Sequence, residues 1–330
     1  MKIYSAADLA GKDISPPQMI VEQLLPIGLS VLAGSPKLGK SWLALSLAYS
    51  VAQGVPFLKH PTSQGDVLYI DLEGSEYRIK ERMETLNYMF PNTLQITHDA
   101  NAIGCGLLDD LQWWWSMTSF PRLVIIDTIG RLKSAGNKTM NAYENDSKAF
   151  APLQKFALEK KIAILCVTHL KKDNAFRAAD ADWMERISGS MGLVGCCDAV
   201  WALFRKRGDD TGYLRTTARD VDAGDLVCRF ENGLWSFVSD DVDNYEFREK
   251  SLVKFIIHIN QYIGKAEDLC DRYIAFCKEQ GIPHGLSETQ PHASFGKQIK
   301  PIMVQGWRIN KSITRDRKKD GVYYWIIPND

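Results

Sequence analysis

Gly34-Ser35-Pro36-Lys37-Leu38-Gly39-Lys40-Ser41 fills every fixed position of the phosphate-loop pattern G-x-x-x-x-G-K-[ST]. Its flanks suit it. Leu29-Ser30-Val31-Leu32-Ala33 reads as a buried strand entering the loop. Ser41 to Gln53 reads as a helix leaving it, with Leu43, Leu47 and Val51 on one face. Gly34 and Gly39 let the backbone curl so that successive N–H groups face phosphate. The helix N-terminus adds a positive field, Lys40 reaches the β- and γ-phosphates, and Ser41 offers a hydroxyl to Mg²⁺. Gly34 to Trp42 is therefore the expected nucleotide-binding stretch. A Gly-rich turn that merely starts a helix explains less, because the strand before and the helix after are both in place.

Outward from the loop, short apolar runs alternate with amphipathic stretches as far as Val238, the pattern of an α/β sheet. The runs are Val67–Ile70, Leu123–Ile126, Ile162–Val167 and Ala199–Phe204. They are continuous, as strands covered on both faces are. Helices are expected over 76–89, 107–118 and 144–160. Trp113-Trp114-Trp115 falls in the second, and at least one of these rings should pack on the sheet; base stacking is the alternative. Tyr213–Arg219, Leu226–Phe230 and Leu234–Val238 read as an antiparallel meander, with Glu231-Asn232-Gly233 as its hairpin turn. Polar segments 130–145 and 171–188 leave strand C-termini, where open α/β sheets place ligands.

Composition narrows the class. With 40 basic and 40 acidic side chains there is no global polyanion-binding signature. No signal peptide and no membrane-spanning run are seen, so a cytoplasmic location is expected. The seven cysteines form no C-x-x-C pair and read as buried, reduced thiols; the six histidines have no metal-ligand spacing.

Hydrolysis needs more than the loop. Leu123-Val124-Ile125-Ile126-Asp127 has the Walker B form, which makes Asp127 the second Mg²⁺ residue beside Ser41. Asp71 and Glu73 end the strand from Asp66. Glu73, with the longer arm, is chosen as the base that polarises water, against the plainer reading of a helix cap or loop acid. Thr168-His169 ends the next strand, and His169 is placed as a γ-phosphate sensor rather than a simple strand-end cap. Arg219 closes the strand from Tyr213, with Arg215 four residues earlier on the same face. Arg219 is a candidate arginine finger from a neighbouring subunit; the plain alternative pairs it with Asp220 or Asp222.

The expected organisation is a lead-in over 1–27, a core over 28–240, an acidic linker over 241–249, and a second unit over 250–330. Between 291 and 330 eight basic residues face three acidic ones. Helices 266–279 and 294–304, strand Trp307–Ile309, a basic turn and strand Val322–Ile327 give the order of a winged helix-turn-helix. Lys297, Lys300, Arg315, Arg317, Lys318 and Lys319 are its candidate DNA contacts. A small helical cap with a solvated basic hairpin is the alternative.

Together Gly34 to Ser41, the strand ending in Glu73, Leu123 to Asp127, the strand ending in His169, Ser188-Gly189-Ser190 and Leu214 to Asp220 resemble the RepA-like branch of the RecA/DnaB-type P-loop ATPases, over about residues 15–240. The resemblance implies a RecA-like core that uses ATP and Mg²⁺. Lys40, Ser41, Glu73, Asp127, His169 and Arg219 would take the phosphate, metal, base, Walker B, sensor and trans-finger roles. It also implies a homo-oligomer, a hexameric ring moving on single-stranded DNA. The DNA-facing loops would be 130–145 and 171–190, with Arg131, Lys133, Lys138, Lys171, Lys172, Arg177 and Arg186 along a phosphate backbone. Asp173, Asp180, Asp182 and Glu185 weaken the second loop's claim. The tail lies outside the compact plasmid pattern and would add duplex binding. A replicative helicase is thus expected, with an ATP-switched initiator, loader or regulator as the rival and a filament-forming recombination ATPase as a third form.

Overall fold

The computed structural model describes residues 3–13, 16–132, 142–170, 183–187, 191–206, 208–222 and 224–329. The chain divides into two compact units, 1–240 and 241–330. Among the described residues no helix is long and apolar enough to cross a membrane.

The first unit runs α1 (Ala6–Ala10), β1 (Met19–Val21), β2 (Leu25–Pro26), β3 (Gly28–Gly34), α2 (Lys40–Gln53), β4 (Asp66–Asp71), α3 (Glu76–Thr85), β5 (Leu94–Thr97), α4 (Leu107–Met117) and β6 (Pro121–Asp127). It continues through a 3₁₀ turn at Ile129–Arg131, α5 (Ala142–Lys160), β7 (Ala163–His169), a 3₁₀ turn at Trp183–Arg186, α6 (Met191–Cys196), β8 (Ala199–Arg205), β9 (Thr211–Ala218), β10 (Gly224–Glu231) and β11 (Leu234–Ser239). Among the described residues these strands form a nine-stranded sheet, β11-β10-β9-β8-β3-β7-β6-β4-β5. From β8 to β5 neighbours are parallel; β9, β10 and β11 add the expected antiparallel meander.

The central strands are apolar throughout because both faces are covered. Leu32 points into a core with Leu43, Leu47, Ile79 and Met83 of α2 and α3. Its neighbours Val31 and Ala33 point into another with Leu111, Phe150, Leu153 and Leu193 of α4, α5 and α6. Trp114 is buried in this second core and donates from Nε1 to Gln95 Oε1 at 2.8 Å, whereas Trp113 faces solvent.

The lead-in is shorter than expected. β1 and β2 pair, and Ile20, Val21, Leu24 and Leu25 are buried in the core, so the folded body begins near Met19. Two prolines and a short polar run hid this small hairpin. Six cysteines are buried as expected; Cys105 is exposed.

The second unit runs α7 (Val242–Glu249), α8 (Ser251–Ile259), β12 (Tyr262–Lys265), α9 (Ala266–Glu279), α10 (Pro291–Val304), a 3₁₀ turn at Gly306–Ile309, β13 (Lys311–Lys318) and β14 (Gly321–Pro328). Its three strands form an antiparallel sheet in the order β12-β14-β13. Three expectations change here. The acidic linker is helix α7: Asp241 Oδ1 accepts from the Asn244 N–H at 2.9 Å to cap it, and Phe247 is buried in this unit's core. Trp307–Ile309 is not a strand but a 3₁₀ turn closed by Asn310 in the left-handed region (φ 54°). The expected basic turn is instead β13. Its inward positions are Lys311 and Ile313, and the Lys311 ammonium satisfies itself on Asn260 O at 2.6 Å, which lets a charged residue occupy a buried place.

Candidate nucleotide site

Strand register assembles the site. Gly34 at the end of β3 stands beside His169 at the end of β7; Asp127 at the end of β6 stands beside Val167; Asp71 at the end of β4 stands beside Asp127. One row of strand C-termini thus carries the phosphate loop, both acids and the histidine. The phosphate loop, Asp127 and His169 border a cleft of about 530 Å³ that is also lined by Lys37, Ser41, Trp42, Glu73, Arg82 and Phe230.

Gly39 starts α2 in the left-handed region, at φ 98°. A Cβ there would lie 3.0 Å from Trp235 Nε1 and 3.1 Å from Phe230, and that indole donates to Gly39 O at 3.1 Å. The meander therefore packs on the phosphate loop from the side. At its turn, Gly233 (φ 84°) leaves 2.4 Å between a would-be Cβ and the Trp42 ring. Gly233→Ala is expected to cost about 1–3 kcal/mol through backbone strain and to displace Trp42. Thermal unfolding and nucleotide titration check this; an unchanged midpoint with unchanged affinity would contradict the packing.

Lys40 is buried and holds its ammonium on Gly34 O at 2.9 Å and Ser35 O at 3.0 Å, with His169 Nδ1 at 3.3 Å. Burial pulls its pKa down to about 8, against the carboxylates of Asp127 and Glu73, which favour the charge. Burial and the Lys40 charge also lower His169, so its ring is neutral at pH 7 and accepts from Lys40. Because the folded chain binds the Lys40 proton less tightly than the unfolded chain, this destabilising contribution is full below pH 8 and is relieved between about 8 and 10.5. Phosphate in the loop favours the charged form. Nucleotide binding should therefore take up about a tenth of a proton at pH 7 and about half at pH 8. Calorimetry in buffers of different ionisation enthalpy measures this, and no buffer dependence at pH 8 would contradict it.

Asp127 is buried. Burial raises its pKa, while hydrogen bonds from the Ser41 and Tyr69 hydroxyls lower it; Tyr69 OH donates to Oδ2 at 2.9 Å. Ser41 and Asp127 thus present adjoining oxygen donors at the foot of the loop, the donor type a hard cation such as Mg²⁺ takes. Among the described residues no group of three or more His, Cys, Asp or Glu side chains could hold a metal ion. Asp71 Oδ1 accepts from Gly74 N at 2.8 Å and Glu73 N at 3.3 Å, so Asp71 shapes the turn that presents Glu73. Glu73 faces solvent at the cleft mouth, 3.7 Å from Arg131 Nε. Both groups are exposed, so this ion pair is weak and easily exchanged.

Arg219 is not brought to this cleft. It follows β9, whose Ala218 pairs with Ala199 at the start of β8, the sheet edge opposite the phosphate loop. Its guanidinium donates to Gly195 O at 3.0 Å and lies 3.4 Å from Asp198 Oδ1. Asp198, not Asp220 or Asp222, is its acidic partner, and Asp198 also accepts from Leu29 N and Gln154 Nε2 at 2.9 Å each. Of the expected DNA contacts in the core, Arg131 is beside the cleft. Lys133, Lys138, Lys171, Lys172 and Arg177 lie outside the described residues. Lys297 and Lys300 are exposed on α10; Arg315, Arg317, Lys318 and Lys319 are exposed on or just after β13. Sequence reasoning missed Phe230, Trp235 and Arg82, whose guanidinium lies 5.3 Å from the Trp42 ring centroid.

The AAA_25 family model, described as an AAA domain, matches residues 3–175. No curated protein matches the chain. Among solved structures, a DnaB-like replicative helicase studied for its interactions with primase matches with TM-score 0.50 and 14% identity, over 67% of this chain and 60% of that one. The chain thus spans less than two thirds of that helicase's length. A second solved structure, an isolated ATPase domain, matches with TM-score 0.48 and 14% identity, over 64% of this chain and 85% of that one. At such identity the helicase likeness is one of fold, and the core is RecA-like.

Proposed function

The chain belongs to the AAA-domain family AAA_25, and on that premise we propose that it is a DNA-dependent ATPase acting as a ring-forming replicative helicase of phage or plasmid type. The observation that carries this reading is the single row of strand ends that brings Lys40, Ser41, Asp127 and His169 to one cleft, with Glu73 at its mouth. ATP with Mg²⁺ is the proposed nucleotide form. Ser41 and Asp127 would hold the cation, which would supply neutralisation of phosphate charge. Lys40 exchanges its two backbone carbonyls for phosphate oxygens. Glu73 accepts the proton of the attacking water. His169, neutral and next to Lys40, registers whether phosphate occupies the loop.

Arg131 is the proposed link from the site to DNA: it pairs with Glu73 at the cleft mouth. A DNA phosphate that draws Arg131 away frees Glu73 for water. Lys133, Lys138, Lys171 and Lys172 are proposed to extend this single-strand path, and a hexamer is the proposed assembly. Arg219 stands at the strand ends away from its own phosphate loop, so the proposed finger role is toward the site of a neighbouring copy and requires release from Asp198.

A second reading is favoured by the second unit. Its helix–strand–helix–helix–hairpin order, with exposed lysines on α10 and β13, supports a winged-helix duplex binder. ATP would then switch an initiator or loader that does not unwind. Truncation after Asp240 separates the two. A translocating ring keeps most of its single-strand-stimulated ATPase, and a tail-driven switch loses its response to DNA.

A further inference from the structure

The sheet of the second unit has two unlike faces. Tyr262, Ile313, Tyr324 and Ile326 point into the core. The residues between them in β12, β13 and β14 point the other way. Register places Ile263, Trp325 and Thr314 in one row of that outer face, and Lys265, Tyr323 and Asp316 in the next. Ile263 is 59% exposed and Ile327 40%, values at which an isoleucine on a sheet surface leaves much of its apolar area in water.

We propose that this outer face binds single-stranded nucleic acid, with Tyr323 and Trp325 stacking on bases and Lys265 and Lys318 meeting phosphates. The two rings stand two residues apart on one strand, with centroids 6.2 Å apart. A duplex strand rises about 3.4 Å per nucleotide, so this spacing suits an extended strand with its bases splayed. The ring faces already attract cations: the Lys318 ammonium is 4.8 Å from the Tyr323 centroid and 5.4 Å from that of Trp325, and the Lys265 ammonium is 6.0 Å from Tyr323. A base that takes a ring face releases these lysines toward its own phosphates.

Two acids temper the face. Asp316 sits opposite Tyr323, and Asp320 accepts from Tyr323 OH at 2.7 Å and pairs with Lys265 at 3.1 Å. Lys318 and Lys319 are exposed at the β13–β14 turn beside this face, and Arg315 and Arg317 are exposed on the other side of the same edge strand. The two lysines held over the ring faces set a cation beside each stacking surface, the complement of a base and its phosphate. The surface is distinct from α10, which carries Lys297 and Lys300, and the inference does not depend on the ATPase reading.

Lysine acetylation of the full chain, titrated with oligo-dT in EDTA without nucleotide, tests it. Oligo-dT should protect Lys265 and Lys318. Half-protection should need about tenfold more oligo-dT in Tyr323→Ala/Trp325→Ala and stay within about threefold in Trp325→Phe, which keeps a ring. Three results would overturn the proposal. Oligo-dT leaves both lysines unprotected in the wild-type chain; the double variant is protected like wild type; or protection follows protein concentration and oligomer mass rather than oligo-dT, which marks a face between copies. Should the double variant fail to fold, the wild-type map and Trp325→Phe decide.

Discussion

Lys40→Ala is expected to lower nucleotide affinity by about two to three orders of magnitude, the loss of two charge-assisted hydrogen bonds to phosphate. The fold should survive. The Lys40 ammonium now satisfies Gly34 O and Ser35 O; without it Gly34 O keeps the Leu170 N–H at 3.3 Å and Ser35 is exposed to water. Removing a buried cation also removes its desolvation cost, so the thermal midpoint without nucleotide should hold or rise while the stabilisation by added nucleotide disappears. Titration with a fluorescent ATP analogue, paired with thermal unfolding, measures both. Wild-type affinity in this variant would mean that phosphate binds elsewhere.

Glu73→Gln should bind ATP within a few-fold of the wild-type affinity, yet turn over about 10²–10⁴ times more slowly, the usual contribution of a positioned general base. The amide keeps the size but loses the charge that pairs with Arg131, and it takes no proton from water. Single-turnover hydrolysis is the measurement. Asp71→Asn is the informative comparison, because Asp71 Oδ1 holds the N–H groups of Gly74 and Glu73. That substitution should disturb how Glu73 is presented and so slow hydrolysis less than Glu73→Gln does. If Glu73→Gln hydrolyses normally and Asp71→Asn does not, the base is Asp71.

The sequence was most legible where strands are buried on both faces. β4, β6, β7 and β8 each contain an uninterrupted apolar run, and the polar residues that end β6 and β7, Asp127 and His169, announce themselves by interrupting it. β5 went unread because it is a four-residue edge strand with only Leu94 buried. β13 was hidden by its charges: five basic residues over 311–319 look like a turn until Ile313 and the aliphatic stem of Lys311 are seen to point inward. Contacts that depend on strand pairing over long separations were out of reach. The turn at Asn232-Gly233 was readable from its residues, but its seat on Trp42 follows from three antiparallel pairings across β8 to β11. Phe230 and Trp235 reach the phosphate loop by the same route. Asp198 was equally obscure as the partner of Arg219, since only the β8–β9 pairing brings these distant residues together.

Steady-state ATPase of the full chain, with and without single-stranded DNA across a salt series and with oligomer mass recorded in parallel, tests the central claim most directly. The account predicts strong stimulation on a hexamer-sized particle, falling steeply with salt as phosphate contacts are screened. Hydrolysis indifferent to single strands, on a monomer or dimer, would contradict it and leave the duplex-binding switch.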